Sequence, residues 1–188
     1  MEQETTVQKQ QQTWYPALYK PEQRERLKQW WLWLQSEQAR GARARLRRCQ
    51  TPGEVIMQKG FFKLGSLLPD WQTYHLLALA TVAGILAHIE TETDVTFPAQ
   101  LGAENSASGK PVLSELRFRK LLASADPDEF YKSLLRAVKQ AGKSAAPVLL
   151  ADSILHWYRE LSEPEKYQGK KSWKYRWAND YYSSKVFN

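Results

Sequence analysis

The sequence is short of the residues that do chemistry. It has one cysteine, Cys49, and three histidines, His75, His88 and His156, in 188 residues. A lone cysteine excludes an intrachain disulfide and a cysteine-rich metal site, and it fits a reducing compartment. There is no HExxH, no CxxC and no Gly-x-Ser-x-Gly, so no triad or zinc centre can be assembled from the motifs present. Paired carboxylates fall only in helix-capping positions such as Asp128-Glu129. The stretch AVKQAGKS, residues 137–144, has the Gly-Lys-Ser of a phosphate loop but lacks its first glycine and follows a helical pattern. Gly142-Lys143-Ser144 therefore reads as a helix stop followed by a cap. The chain is expected to be no enzyme, with no metal and no cofactor.

Long apolar runs are also lacking. The longest, Leu76–Ile89, falls short of the roughly 20 residues that span a bilayer. The opening MEQETTVQKQQQT has no apolar core, so neither a signal peptide nor an anchor is expected there. These features point to a soluble cytoplasmic protein with no membrane partner. Acids are scarce as well: 20 Asp and Glu stand against 27 Lys and Arg, for a net charge of +7. That balance favours an anionic partner, and charge alone does not choose among nucleic acid, acidic protein and anionic membrane.

What is present begins with arginine. Residues 40–51, RGARARLRRCQT, hold five arginines and no acid. On a helix, Arg40, Arg43 and Arg47 share one stripe, while Ala42, Leu46 and Cys49 gather on another. The segment can thus dock on a core with its arginines outward. A guanidinium offers a planar fork of donors that suits phosphate oxygens and stacks on bases.

Hydrophobic residues make up 43% of the chain, enough for a sizeable core, and eight Trp and nine Tyr are many for this length. Residues 1–13 are too polar to fold and read as a disordered tail, pinned by Trp14, Tyr15 and Leu18. Pro21 suits a helix start, and Leu27, Trp30, Trp31 and Leu34 follow at i, i+3, i+4, i+7. Trp33 lies off that stripe and reads as an edge packer. Gly41 is expected to break this helix. Thr51-Pro52-Gly53-Glu54 is a capping box. Phe61, Phe62, Leu64, Leu67 and Leu68 continue an apolar stripe. Asp70 is expected to cap a helix that reaches Ile89, apolar on most sides and central, with Gly84 marking a close neighbour.

Residues 91–112 lose periodicity and read as a loop or linker between an N-terminal lobe, 14–90, and a C-terminal lobe, 113–188. Ser114 is expected to cap a helix carrying Phe118, Leu121, Leu122 and Ala125. Asp126-Pro127 starts the next helix, with Phe130, Leu134 and Val138 inside and Arg136, Lys139 and Lys143 on its basic side; Gly142 ends it. Ser144 is expected to cap a helix with Leu150, Ile154, Trp157 and Leu161 on one face, and Asp152 and His156 to share a local hydrogen bond. After a charged loop at 162–172, the last helix carries Trp173, Trp177 and Tyr181. The expected fold is all-α, with seven to nine helices in two bundle-like lobes.

The order of these segments resembles a known family. A Trp-rich helix precedes Gly-x-Arg-Ala-x-Leu-Arg-Arg (Gly41 to Arg48), then a Thr-Pro helix start, Arg-Phe-Arg-Lys-Leu-Leu (Arg117 to Leu122), Phe-Tyr-x-x-Leu-Leu-Arg (Phe130 to Arg136) and Trp-Ala-x-Asp-Tyr-Tyr (Trp177 to Tyr182). This looks like the CasB-type small subunits of the type I-E CRISPR surveillance complex, Cascade. The resemblance implies a non-catalytic helical subunit in the bacterial cytoplasm, stacked head to tail with a second copy and bound to other Cascade subunits and their guide RNA. It implies contact with target DNA and with the displaced single strand of the R-loop, in antiviral defence. The motif residues carrying that contact would be Arg43, Arg47, Arg48, Arg117, Arg119, Lys120 and Arg136. Helical position adds Lys139 and Lys143 as nucleic-acid-binding candidates. Sequence would be read by guide pairing, so this subunit needs only backbone attraction and stacking. Two other readings compete: a helical assembly protein whose basic face binds an acidic partner, and a helix-turn-helix regulator, for which no recognition helix is evident.

Overall fold

The computed structural model describes residues 16–186; the expected tail and its pins Trp14 and Tyr15 lie outside them, while Leu18 is buried. The first helix, α1 (Pro21–Gln35), starts on proline and buries Leu27, Trp30, Trp31 and Leu34, as their spacing requires. The Trp30 indole donates to the Gly60 carbonyl at 3.1 Å, which satisfies its buried N–H. Trp33 packs at the edge of the core under the ammonium of Lys63. The helix break comes earlier than Gly41. Ser36 turns extended and its hydroxyl takes the Trp33 carbonyl at 2.7 Å, ending α1. Gly41 lies inside α2 (Arg40–Arg48), where a single glycine weakens a helix by only about 1 kcal/mol relative to alanine.

Thr51 caps α3 (Pro52–Ile56): its hydroxyl accepts from the Glu54 N–H, and the Glu54 carboxylate accepts from Gln50 N–H. Next come α4 (Lys59–Leu67), α5 (Pro69–Tyr74) and α6 (Leu76–Leu86). On α4 the expected stripe holds except at Phe62, which is exposed. Asp70 does not cap the central helix. Pro69 at the first position starts α5 there, so Asp70 falls within its first turn, and His75 separates α5 from α6. Helix α6 is buried continuously from Ala78 to Leu86.

The stretch 91–112 is more ordered than its composition suggests. Thr91–Glu92 (β1) is followed by α7 (Phe97–Gly102) and an antiparallel pair, β2 (Glu104–Asn105) with β3 (Lys110–Pro111). Helix α7 is one short turn pair, too brief to show periodicity, and it packs on the last helix. Helix α8 (Glu115–Leu122) follows Ser114, whose side chain makes no capping bond, and Ala125 falls beyond it. Helix α9 (Pro127–Gln140) is capped as expected: Asp126 accepts from the N–H groups of Asp128 and Glu129, both at 3.0 Å. Tyr131 of α9 crosses α6 at Gly84, where an added Cβ would lie 2.4 Å from the Tyr131 hydroxyl oxygen.

Ser144 does not cap the next helix. Gly142 and Lys143 both adopt positive φ, 66° and 59°, and turn the chain so that Ser144–Ala145 (β4) runs parallel to β1. The helix α10 (Pro147–Ser162) then starts on proline. Leu161 is exposed rather than on the inner face. Asp152 and His156 stand 3.9 Å apart, an ion-pair contact longer than the expected hydrogen bond; the Asp152 carboxylate also accepts from Leu18 N–H at 2.7 Å and ties Leu18 to α10. Helix α11 (Trp173–Val186) buries Trp173, Trp177 and Tyr181. Stacked pairs Phe130–Trp157 and Phe118–Tyr181, with centroids 4.0 and 3.9 Å apart, lock α9 to α10 and α8 to α11.

The fold is all-α. The described residues hold eleven α-helices rather than seven to nine, because α3, α5 and α7 are each five or six residues long. The four strands are two residues each. One buried cluster runs from Ala17 to Tyr181.

Candidate nucleic-acid interface

Helix α2 docks through Leu46, which packs against Gly60 of α4, where a Cβ would approach Leu46 Cδ1 to 2.9 Å. Cys49 is buried on the same side and Ala42 half-buried. Arg40, Arg45 and Arg48 point outward. Arg43 does not. Its Nε donates to the Ala87 carbonyl at 3.1 Å and its Nη2 to the Ile89 carbonyl at 3.4 Å. It thus caps the C-terminal end of α6, where carbonyls lack helical partners and the dipole favours a cation. Burial, and then the neighbouring Arg47, lower its pKa.

Beyond Arg43 the carboxylate of Glu90 gathers three cations on one oxygen. Arg47 Nη1 lies 3.1 Å from Glu90 Oε1, Lys143 Nζ 3.0 Å and Arg43 Nη2 3.9 Å. Pairing of β1 with β4 creates this meeting: Glu90 N–H donates to the Lys143 carbonyl at 2.8 Å, which sets the two residues side by side. The Lys143 hydrogen bond, with help from Arg47 and Arg43, holds the Glu90 carboxyl below its ordinary pKa. His88 is buried behind the cluster. Burial first, then the charges of Arg47, Lys139, Lys143 and Arg43, push its pKa down to about 4, so it is neutral near pH 7 and adds nothing to the charge.

A second basic group lines a cleft of about 500 Å³ between α8 and α9. Its walls carry Arg117 and Lys120 from α8 and Arg136 and Lys139 from α9, with Ser133 and Gln140 between. Lys139 faces this cleft, and its charge also reaches His88 behind the Glu90 cluster. The structure thus gathers Arg43, Arg47 and Lys143 around Glu90, and Arg117, Lys120, Arg136 and Lys139 around the cleft between α8 and α9. Arg48 is exposed on α2 and lines neither group. Arg119 is turned elsewhere, with Nη2 at 2.6 Å from Glu115 Oε1 and a hydrogen bond to Tyr182.

Glu90 and His88 are the participants that the sequence does not disclose. A count of cations passes over the one acid among them, and the meeting of 90 with 143 depends on a strand pair two residues long.

Among the described residues no group of three His, Cys, Asp or Glu could hold a metal ion, and no helix is long and apolar enough to cross a membrane. What the arrangement can do is attract a polyanion and offer forked donors to successive oxygens.

The family model for CRISPR-associated protein Cse2 matches residues 42–182, three quarters of the chain. The matched span takes in both basic groups and leaves out α1. No curated protein and no solved structure matches the chain.

Proposed function

The chain belongs to the CRISPR-associated Cse2 family, the small subunits of type I-E Cascade, and from that premise we propose that it is a non-catalytic clamp for nucleic-acid backbone. The strip from Arg47 and Lys143 through Lys139 to Arg136, Lys120 and Arg117 runs beside target DNA and the displaced single strand of the R-loop. Arg48 extends it along α2, while Arg119 contributes charge from the flank. Arg43 acts differently: it holds α2 against α6 and presents Arg47. The other Cascade subunits, their guide RNA and a second copy of this chain complete the assembly. The observation that carries the reading is the gathering of Arg117, Lys120, Arg136 and Lys139 on the walls of one cleft.

Such a surface reads charge and spacing rather than base identity. Its affinity should fall steeply with salt through counterion release, by about 0.7 in log–log slope for each single-strand phosphate contacted. The test is a salt series of single-stranded DNA binding by the full chain and by a Lys120→Gln, Arg136→Gln, Lys139→Gln variant. A flatter slope with an unchanged melting curve is expected. An equal slope in both proteins would remove the strip from the interface.

A further inference from the structure

The Glu90 site has the form of an anion site with an occupant in place. One oxygen stands within 3.1 Å of both Arg47 Nη1 and Lys143 Nζ, and 3.9 Å from Arg43 Nη2. A non-bridging phosphate oxygen accepts from guanidinium and ammonium at the same distances. The site is built rather than accidental. Arg43 is fixed by two backbone carbonyls, and Lys143 is held at φ 59°, a left-handed conformation that a lysine rarely takes, by the strand pair that follows it. The occupant is the weaker element, because Glu90 is exposed. Glu92, two residues on, is taken by Lys28. With His88 neutral, three cations face one carboxylate. The site stays positive even when Glu90 fills it.

We propose that Arg47 and Lys143, on the frame that Arg43 holds, form a phosphate subsite that the Glu90 carboxylate occupies in the free chain, as an internal stand-in which a nucleic-acid phosphate must displace. This rests on the backbone-binding role argued above and refines it. Glu90 is then an attenuator. It holds Arg47 and Lys143 in a binding geometry when no strand is present, and it lowers affinity so that a non-cognate polyanion is released. Exchange of one anion for another needs no rearrangement of the fold, because the Glu90 backbone N–H keeps its bond to the Lys143 carbonyl.

The experiment compares wild type, Glu90→Gln, Lys143→Gln and the double variant, each as the full chain. Mixed-sequence single-stranded DNA is titrated across a salt series, and circular dichroism melts control for folding. Glu90→Gln is expected to bind about 3- to 10-fold tighter at low salt, with a slope steeper by about 0.7. Lys143→Gln is expected to lose more affinity in the Glu90→Gln background than in wild type, a coupling that a purely structural role would not produce. Glu90→Ala guards against an effect peculiar to glutamine and should bind as tightly as Glu90→Gln. Equal or weaker binding by both neutral variants overturns the inference. If wild type shows a steep slope that the Lys120, Arg136 and Lys139 changes flatten, only the Glu90 inference falls in that case. If neither wild type nor Glu90→Gln binds, both readings fall. Binding by Glu90→Gln alone supports the subsite and measures its masking.

Discussion

Arg43 separates a scaffold role from a contact role, so its removal gives the sharpest test of how α2 is built. Its side chain is only 19% exposed, and its guanidinium donates to the carbonyls of Ala87 and Ile89 at the end of α6. Arg43→Ala leaves the shorter, 3.1 Å bond unmade and returns a helix terminus to an uncapped state. A hydrogen bond to a charged group is worth about 1.5–3 kcal/mol, and a cation at a helix C-terminus adds roughly 0.3–1 kcal/mol. Water reaches part of the vacated site, so about 2 kcal/mol is the expected net loss. In a chain of this size that lowers Tm by about 4–8 °C. Differential scanning calorimetry should show that shift for Arg43→Ala, while exposed Arg48→Ala stays within about 0.5 kcal/mol of wild type. Arg43→Ala would also bind DNA less well, but through the displaced α2 and Arg47. Equal melting of the two variants would refute the inward role of Arg43 and return it to the contact surface.

Gly84→Ala drives a methyl into Tyr131, whose hydroxyl oxygen would lie 2.4 Å away; a loss of about 1–3 kcal/mol is expected by denaturant titration, with DNA-binding slope unchanged in the folded fraction. His88 is neutral in the fold, with a pKa of about 4 against an ordinary 6.5. The unfolded chain therefore takes up its proton first as pH falls. Stability should drop by roughly 3 kcal/mol between those values, and His88→Leu should remove that part of the slope. Glu90 has the opposite identity and a depressed pKa, so its stabilising contribution is complete above the ordinary carboxylate range and is lost as pH falls through the lower folded value. Melts of wild type and Glu90→Gln should therefore differ at neutral pH and converge in acid. Asp126→Ala removes the two cap bonds of α9 and should destabilise by about 1 kcal/mol.

The helices that the sequence discloses are those with two or more full turns of apolar repeat. Leu27, Trp30, Trp31 and Leu34, or Phe130, Leu134 and Val138, sit inside as their spacing requires because each stripe alone buries enough surface to decide its own orientation. Proline and capping residues were equally legible at Thr51 and Asp126, where partner and signal lie within three residues. What escaped was set by distant partners. Helix α7 has one apolar pair, Phe97 and Leu101, and exists because α11 covers it. Ser144 carries the signature of a cap, yet a strand pair with Thr91 claims its backbone. Arg43 shares a helical stripe with Arg40 and Arg47, and only the carbonyls of Ala87 and Ile89 turn it inward. The basic residues were legible as a set. Their division into a group at Glu90, a group in the α8–α9 cleft and a flank at Arg119, with Arg43 turned inward as a cap, follows from packing between α2, α6, α8 and α9.

The central claim is that the strip meets nucleic-acid backbone in the assembled complex. The most direct measurement is photo-crosslinking of the intact guide-RNA complex, bound to target DNA, followed by peptide mapping of this subunit. Crosslinks on the segments that carry Arg117–Lys120 and Arg136–Lys143 are the expected result. Crosslinks confined to other faces, such as the charged 162–172 segment, with the strip unlabelled, would contradict the account.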